Sequence, residues 1–403
     1  MMKRTGKTRF SVQTVSAAVG MALAAAVMAF GQAPAPAGQP RMAEQQYKNI
    51  KVLTGTPASQ LNLAMHGIAG ALGTNCVHCH TWEQFDKDGK APKEVARRMI
   101  TMVREMNKTY FGGAQVITCY TCHRGSLHPV GIAELPDTIT LRPRTQPPPP
   151  LPTEEIIEKP PVYPTADSIL AKYVQALGGE QAIRKVTSRV ITAKRDLPAG
   201  AAGLEPVPAD VEIYQKAPNL TVMISKAEKY TASEGFDGQV AWTQNMNGGV
   251  NNLGEPDQQR AKRAADFYDS LDIAQTYGGQ LQVTGIEKVN GKDAYVLQGT
   301  PENDSMEKLY FDVKTGLLLR RWSTLPSSLM KYPYEIDYDD YRKTSCGAKI
   351  PFVIRTNPSI PRDEAATNST LQIIRVQDNV PIDPAQFTRP QPKTPAAPAP
   401  RGN

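Results

Sequence analysis

The chain has 403 residues, enough for two or three domains, and carries a formal charge of +7 from 46 Lys and Arg against 39 Asp and Glu. The cations are scattered, with no basic run interleaved with aromatics, which argues against a nucleic-acid surface and gives no nucleic-acid partner. The 34 prolines cluster, and the clusters mark out segments.

Residues 1–33 read as an export signal. Lys3, Arg4, Lys7 and Arg9 precede the apolar run Val15 to Phe30, and the small residues Gly31 and Ala33 follow. The alternative is an uncleaved anchor, because Ser11 to Phe30 is almost long enough to span a bilayer. Either way the expectation is a periplasmic or cell-envelope protein. No cysteine lies near the signal, so a lipid anchor on an N-terminal Cys is not available.

Residues 41–133 contain Cys76-Val77-His78-Cys79-His80 and Cys119-Tyr120-Thr121-Cys122-His123. A Cys-x-x-Cys-His spacing attaches a haem: two thiols add across the two vinyl groups of one porphyrin, and the adjoining His reaches the iron. Two such motifs imply two covalently bound c-type haems, with Cys76, Cys79, Cys119 and Cys122 as attachment points and His80 and His123 as iron ligands. Four of the five cysteines are thereby used, so no internal disulfide remains and Cys346 is a spare thiol in a turn-like stretch, read as a structural bystander. All five histidines lie before residue 129, in a segment with little strand signal, which predicts a small, mostly helical domain folded around its cofactors. His78, inside the first motif, and His128, after the second, are expected to face solvent.

A low-spin electron-carrying iron needs a second axial ligand, and methionine suits it. Thr56-Pro57 opens a helix that sets Leu61, Met65, Ile68 and Leu72 on one face before Gly73 ends it. A second helix starts near Pro92 and carries Val95, Met99, Met102, Met106 and Tyr110 in one stripe. A Met stripe at this spacing is ordinarily core, and the residues alone leave three methionines competing for one iron. Arg97, Arg98 and Arg124 are either propionate partners or members of solvated faces.

Residues 134–165, with Pro147 to Pro150, Pro152, Pro160, Pro161 and Pro164, read as an extended proline-rich linker. Residues 166–387 change character. A helix is expected from Ala166 to Leu177 with Thr165 as its N-cap and Gly178-Gly179 as its stop. Eleven β-branched or aromatic runs follow, from Val190–Lys194 to Leu371–Val376, with hairpin turns at Asp237-Gly238 and Asn290-Gly291 and a covering helix at Gln258 to Ser270. This predicts an α+β domain with a strongly curved antiparallel sheet, a half-barrel. The tail 388–403 is proline-rich and reads as disordered.

The runs Tyr47-Lys48-Asn49-Ile50-Lys51-Val52-Leu53, Val95-Ala96-Arg97-Arg98-Met99 and Val116 to Gly125 closely resemble the cytochrome c subunit of photosynthetic reaction centres. The resemblance covers about 90 residues and implies that a helix ahead of each motif delivers a Met: Met65 with His80 on the first haem, Met99 with His123 on the second. Full-length members carry four haems, so this chain matches one dihaem half, and a photosynthetic partner does not follow from it. Gly235-Phe236-Asp237-Gly238, Leu309-Tyr310-Phe311-Asp312, Thr315-Gly316-Leu317-Leu318 and Asp339-Asp340-Tyr341-Arg342 resemble bacterial envelope proteins of the lipoprotein-carrier fold. That resemblance implies an apolar cavity behind helices, able to take a lipid or quinone. The expected function is an exported dihaem electron carrier between envelope redox partners, a membrane complex or reaction centre among them. Two alternatives are a haem peroxidase-like enzyme and a lipid- or quinone-binding module with a tethered cytochrome. With no histidine in the sheet domain, no Ser-His-Asp set can be built there.

Overall fold

The computed structural model describes residues 40–82, 84–129, 162–197, 207–228, 231–245, 248–255, 257–326, 329, 331–358 and 368–391. The signal segment, most of the proline-rich linker and most of the tail lie outside the described residues. No helix among the described residues is long and apolar enough to cross a membrane.

The haem-motif segment is helical, as expected. It runs through α1 (Ala43–Gln46), α2 (Leu61–Leu72), α3 (Cys76–Cys79), α4 (Ala91–Tyr110) and α5 (Cys119–His123). α2 stops at Gly73, whose φ of 60° is the left-handed conformation that caps a helix without Cβ strain. α4 has proline in its first turn, where a missing N–H costs nothing.

The sheet domain opens with α6 (Ala166–Ala176), capped where Ser168 N–H donates to Thr165 Oγ1 at 3.2 Å, and α7 (Glu180–Arg184). Thirteen strands follow: β1 (Ser188–Leu197), β2 (Val207–Lys216), β3 (Leu220–Lys226), β4 (Thr231–Phe236), β5 (Ala241–Gln244), β6 (Val250–Asn252), β7 (Gln282–Val289), β8 (Lys292–Gly299), β9 (Glu307–Asp312), β10 (Leu318–Pro326), β11 (Lys331–Lys343), β12 (Lys349–Pro358) and β13 (Ser369–Asp378). They form one antiparallel sheet in the order β6-β5-β4-β3-β2-β1-β13-β12-β11-β10-β9-β8-β7. One meander runs from the middle to the β6 edge. Two helices, α8 (Asp257–Ala265) and α9 (Asp269–Thr276), then carry the chain to the β7 edge, and a second meander returns until β13 pairs with β1. The sheet is curved and unclosed, the half-barrel predicted.

Two strands escaped the sequence reading. β4 is Thr-Ala-Ser-Glu-Gly-Phe, too polar to show alternation, and β6 is only three residues, Val-Asn-Asn. The Asn290-Gly291 hairpin is as read, with φ of 49° and 80° at its two central residues. The single covering helix is corrected to two. Asp266 to Tyr268 interrupt it: Phe267 N–H donates to Pro218 O at 2.9 Å and Tyr268 N–H to Asp266 Oδ1 at 3.0 Å, bonds that a continuous helix would not make. The break lets α9 turn Ile273 into the main core, followed by Tyr277.

That core joins Ile169, Leu170 and Tyr173 of α6 to Ile273 and Tyr277 and to Leu297, Leu309 and Phe311 of the sheet. Tyr173 packs edge-on against Phe311, ring centroids 5.1 Å apart. Charged groups enter this interior only in partnership. Tyr277 Oη donates to Glu307 Oε2 at 2.5 Å, Arg260 Nε to Asp304 Oδ2 at 2.8 Å, and Arg263 also pairs with Asp304.

The haem-motif segment and the sheet domain touch directly, beyond any linker. Leu329, beyond the end of β10, is buried in the cluster formed by Ala43, Leu53, Leu61, Ala64 and Ile100. Gln60 Nε2 donates to Asp257 Oδ2 at 3.0 Å at the start of α8.

Phe311 is fully buried at the centre of the main core. Replacing it with Ala is expected to cost about 3–5 kcal/mol, read as a lowered denaturant midpoint of the sheet domain.

Candidate haem site

α2, α3, α4 and α5 bring the two motifs into one small module. α5 packs against α2, and α3 against the start of α4. The join is close: Gly125 N–H, just past the second motif, donates to Ala71 O at 2.9 Å near the end of α2. A Cβ on Gly73 would run into the Gly125 carbonyl, so only glycine fits there.

The two motif histidines are held alike. His80 Nδ1 lies 3.0 Å from Phe85 O, and His123 Nδ1 lies 3.0 Å from Ser126 O. A carbonyl only accepts, so each Nδ1 carries the proton and each Nε2 keeps the lone pair that an iron takes. Cys76, Cys79 and Cys119 are half-buried and Cys122 is exposed; none is in a disulfide. Burial pushes the Cys79 and Cys119 thiols up. Burial, with Lys93, Arg97 and Lys90 nearby, holds His80 below its ordinary range against the opposing bond to Phe85.

Met65 lies half-buried on α2, packed against the module's small core. The α4 stripe is not core. The face that α4 buries holds Lys93, Arg97, Ile100, Val103 and Asn107, whereas Met99 and Met102 are 38% and 42% exposed. Of the fourteen large apolar side chains exposed among the described residues, eleven fall between Val77 and Leu127, including Trp82, Phe85, Val95, Met99, Tyr110 and Tyr120. The far larger sheet domain shows only Ile286 and Ile374 beyond Val162. Apolar exposure so concentrated marks a surface that something apolar covers, and a porphyrin held by the adjacent cysteines and histidines fits it.

Arg97 is committed to the module's framework, although it lines the same groove as Arg98. It is buried, 2.9 Å from Asp88 and paired with Glu94. Arg98 is exposed beside Met102 in an open groove of about 450 Å3, and Arg124 is exposed after the second motif, so both remain placed as propionate partners. His128 is exposed as expected, whereas His78 is half-buried. Cys346 is half-buried and accepts from Asn379 Nδ2 at 3.4 Å, in a structural setting.

Sequence reasoning missed the polar hub beside the first motif. Asp88 receives Lys51 at 2.8 Å, Lys93 at 3.3 Å, Arg97 at 2.9 Å and Asn49 Nδ2 at 2.7 Å. Lys93, 8% exposed, also donates to Phe85 O at 2.9 Å and Lys87 O at 2.7 Å. Only a lysine placed in the first turn of a helix hinted at this, and such residues are ordinarily solvated.

This geometry places two Cys-x-x-Cys-His motifs in one helical module, followed by a curved-sheet domain. Residues 3–139 match the family described as the photosynthetic reaction centre cytochrome C subunit. The segment is 38% identical over 88 residues to the photosynthetic reaction center cytochrome c subunit of Rubrivivax gelatinosus, covering 21% of this chain and 24% of that protein. It is 32% identical over 91 residues to cytochrome c-554 of Chloroflexus aurantiacus, covering 20% and 22%. The chain thus spans about a quarter of the length of these relatives. A LolA superfamily protein from Nitrosomonas europaea aligns over 56% of this chain and 99% of its own, with 14% identity and a TM-score of 0.39. A DUF1329 family protein from Desulfovibrio piger aligns over 55% and 96%, with 13% identity and the same TM-score.

Asp88 generates a prediction. Lys51 first, then Asn49, Lys93 and Arg97, hold its carboxyl well below the usual carboxylate range. A lowered folded-state pKa stabilises at pH above the unfolded value of about 4, and the contribution fades as pH falls below it. Asp88→Asn should therefore lower the denaturant midpoint at pH 6, and the gap from the native chain should narrow as pH falls to 3.

Proposed function

We propose that the chain is an exported dihaem electron carrier in which Met65 and His80 bind the first haem iron and Met99 and His123 the second. The observation that carries this reading is the matched pair of Nδ1-to-carbonyl bonds at His80 and His123, surrounded by the exposed apolar surface of α4 and its neighbours. Bound haem supplies one-electron chemistry. The chain's own groups do the rest. Cys76, Cys79, Cys119 and Cys122 would hold the porphyrins covalently, and the two carbonyls would orient the imidazoles and strengthen them as ligands. Met65 and Met99 would offer each iron a soft donor that favours its reduced form, and Trp82, Phe85 and Val95 would shield a bound porphyrin from water.

Export follows from the basic and apolar stretches of residues 1–33 and from the chemistry of haem attachment, which places the protein in the periplasm or envelope, with its signal either cleaved or retained as an anchor. Its partners are redox proteins that donate and accept single electrons. A membrane electron-transfer complex or a reaction centre would serve as such a partner. The domains are the haem module at 41–133, the linker at 134–165 and the sheet domain at 166–387. A lipid or quinone is the ligand class expected for the sheet domain, whose main core packs α6 and α9 against the sheet.

The exported protein should contain two haems per chain by haemochromogen assay and be low-spin in both oxidation states. Replacing Met99 with Ala should lower one midpoint potential markedly; replacing Met102 or Met106 should leave both near their native values. A high-spin iron with rapid peroxide turnover would move the assignment to a haem enzyme, and a large shift on replacing Met102 would move the ligand.

A further inference from the structure

The two histidine anchors differ in one respect. Phe85 O accepts from His80 Nδ1 at 3.0 Å and also from Lys93 Nζ at 2.9 Å. Ser126 O accepts from His123 Nδ1, and no lysine or arginine bonds it among the described residues. We propose that Lys93 is a positioning residue that sets the potential of the first haem by sharing the carbonyl that orients His80.

Two effects act in the same direction. A carbonyl that takes a bond from an imidazole Nδ1–H makes the imidazole a more basic ligand, which favours oxidised iron. An ammonium on the same oxygen draws its electron density away and weakens that push. The ammonium is also a buried positive charge beside the ligand, and a nearby positive charge opposes the additional charge of oxidised iron, more strongly where water is excluded. Lys93 is suited to this because it is held from three sides, by Phe85 O, by Lys87 O at 2.7 Å and by Asp88 at 3.3 Å.

Asp88 does not cancel the charge. It is shared with Lys51 at 2.8 Å and Arg97 at 2.9 Å, so three cations surround one carboxylate, with Glu94 beside Arg97 as the other acidic group in the cluster. Lys90 adds a further cation on the Val77 carbonyl inside the first motif. The first haem site is therefore held positive by groups that belong to the module's own framework.

The inference rests on the dihaem reading, and a redox titration of the full chain separates the two. The native protein should show two one-electron waves. Lys93→Gln, which keeps a hydrogen-bond donor without the charge, should move one wave to lower potential, leave the other in place and preserve the low-spin Met-ligated spectrum. Lys93→Arg should bring the moved wave back towards its native position. Two waves that both stay put in Lys93→Gln, or that move together, would overturn the role given to Lys93 while leaving the dihaem reading intact. A native chain that carries no haem would overturn that reading and this inference with it.

Discussion

The structure of the haem module depends on one mixed helix face. α4 buries Lys93, Arg97 and Asn107 alongside Ile100 and Val103 and exposes Val95, Met99 and Met102, so polar groups share the buried face while large apolar ones stand outside it. The arrangement holds because each buried polar group is paired: Asn107 Oδ1 accepts from Val116 N and Ile117 N, its Nδ2 donates to Ile117 O, and Arg97 and Lys93 meet Asp88. The polar face fastens α4 to the loop after the first motif and to the strand of chain leading into the second. Val95, Met99 and Met102 are thereby left on its open side.

The sheet domain obeys the opposite rule. Its main core packs onto α6 and α9, with Val289, Val296 and Leu319 in a separate buried cluster, and its interior charges pair with each other: Arg321 with Asp269, Arg260 and Arg263 with Asp304. Arg320 pairs with the buried Asp337 through two bonds, one at 2.8 Å. The haem module draws part of its small core from this domain through Leu329, so the larger body supports the smaller one.

Local signals made much of this legible. Gly73 and Thr165 bounded their helices, Asn290-Gly291 fixed a hairpin, and β-branched runs announced eleven of the thirteen strands. What stayed hidden depended on partners distant in sequence. β4 and β6 are strands because their neighbours supply hydrogen bonds, not because their own side chains favour it. The Asp88 hub joins residues 49, 51, 88, 93 and 97, whose common destination no periodicity announces. The same limit applied to the Met stripe: spacing grouped its members, but only the buried opposite face showed that they are not core.

The bond from Gly125 to Ala71 makes the two motifs interdependent. The last turn of α2 is completed by chain that follows the second Cys-x-x-Cys-His, so the helix bearing Met65 gains its closing partner only after about fifty further residues have folded back onto it. The two halves are therefore not beads that assemble in turn. A substitution at Gly73 or Gly125 would therefore be felt in both halves at once, at the helix that carries Met65 and at the turn that follows His123.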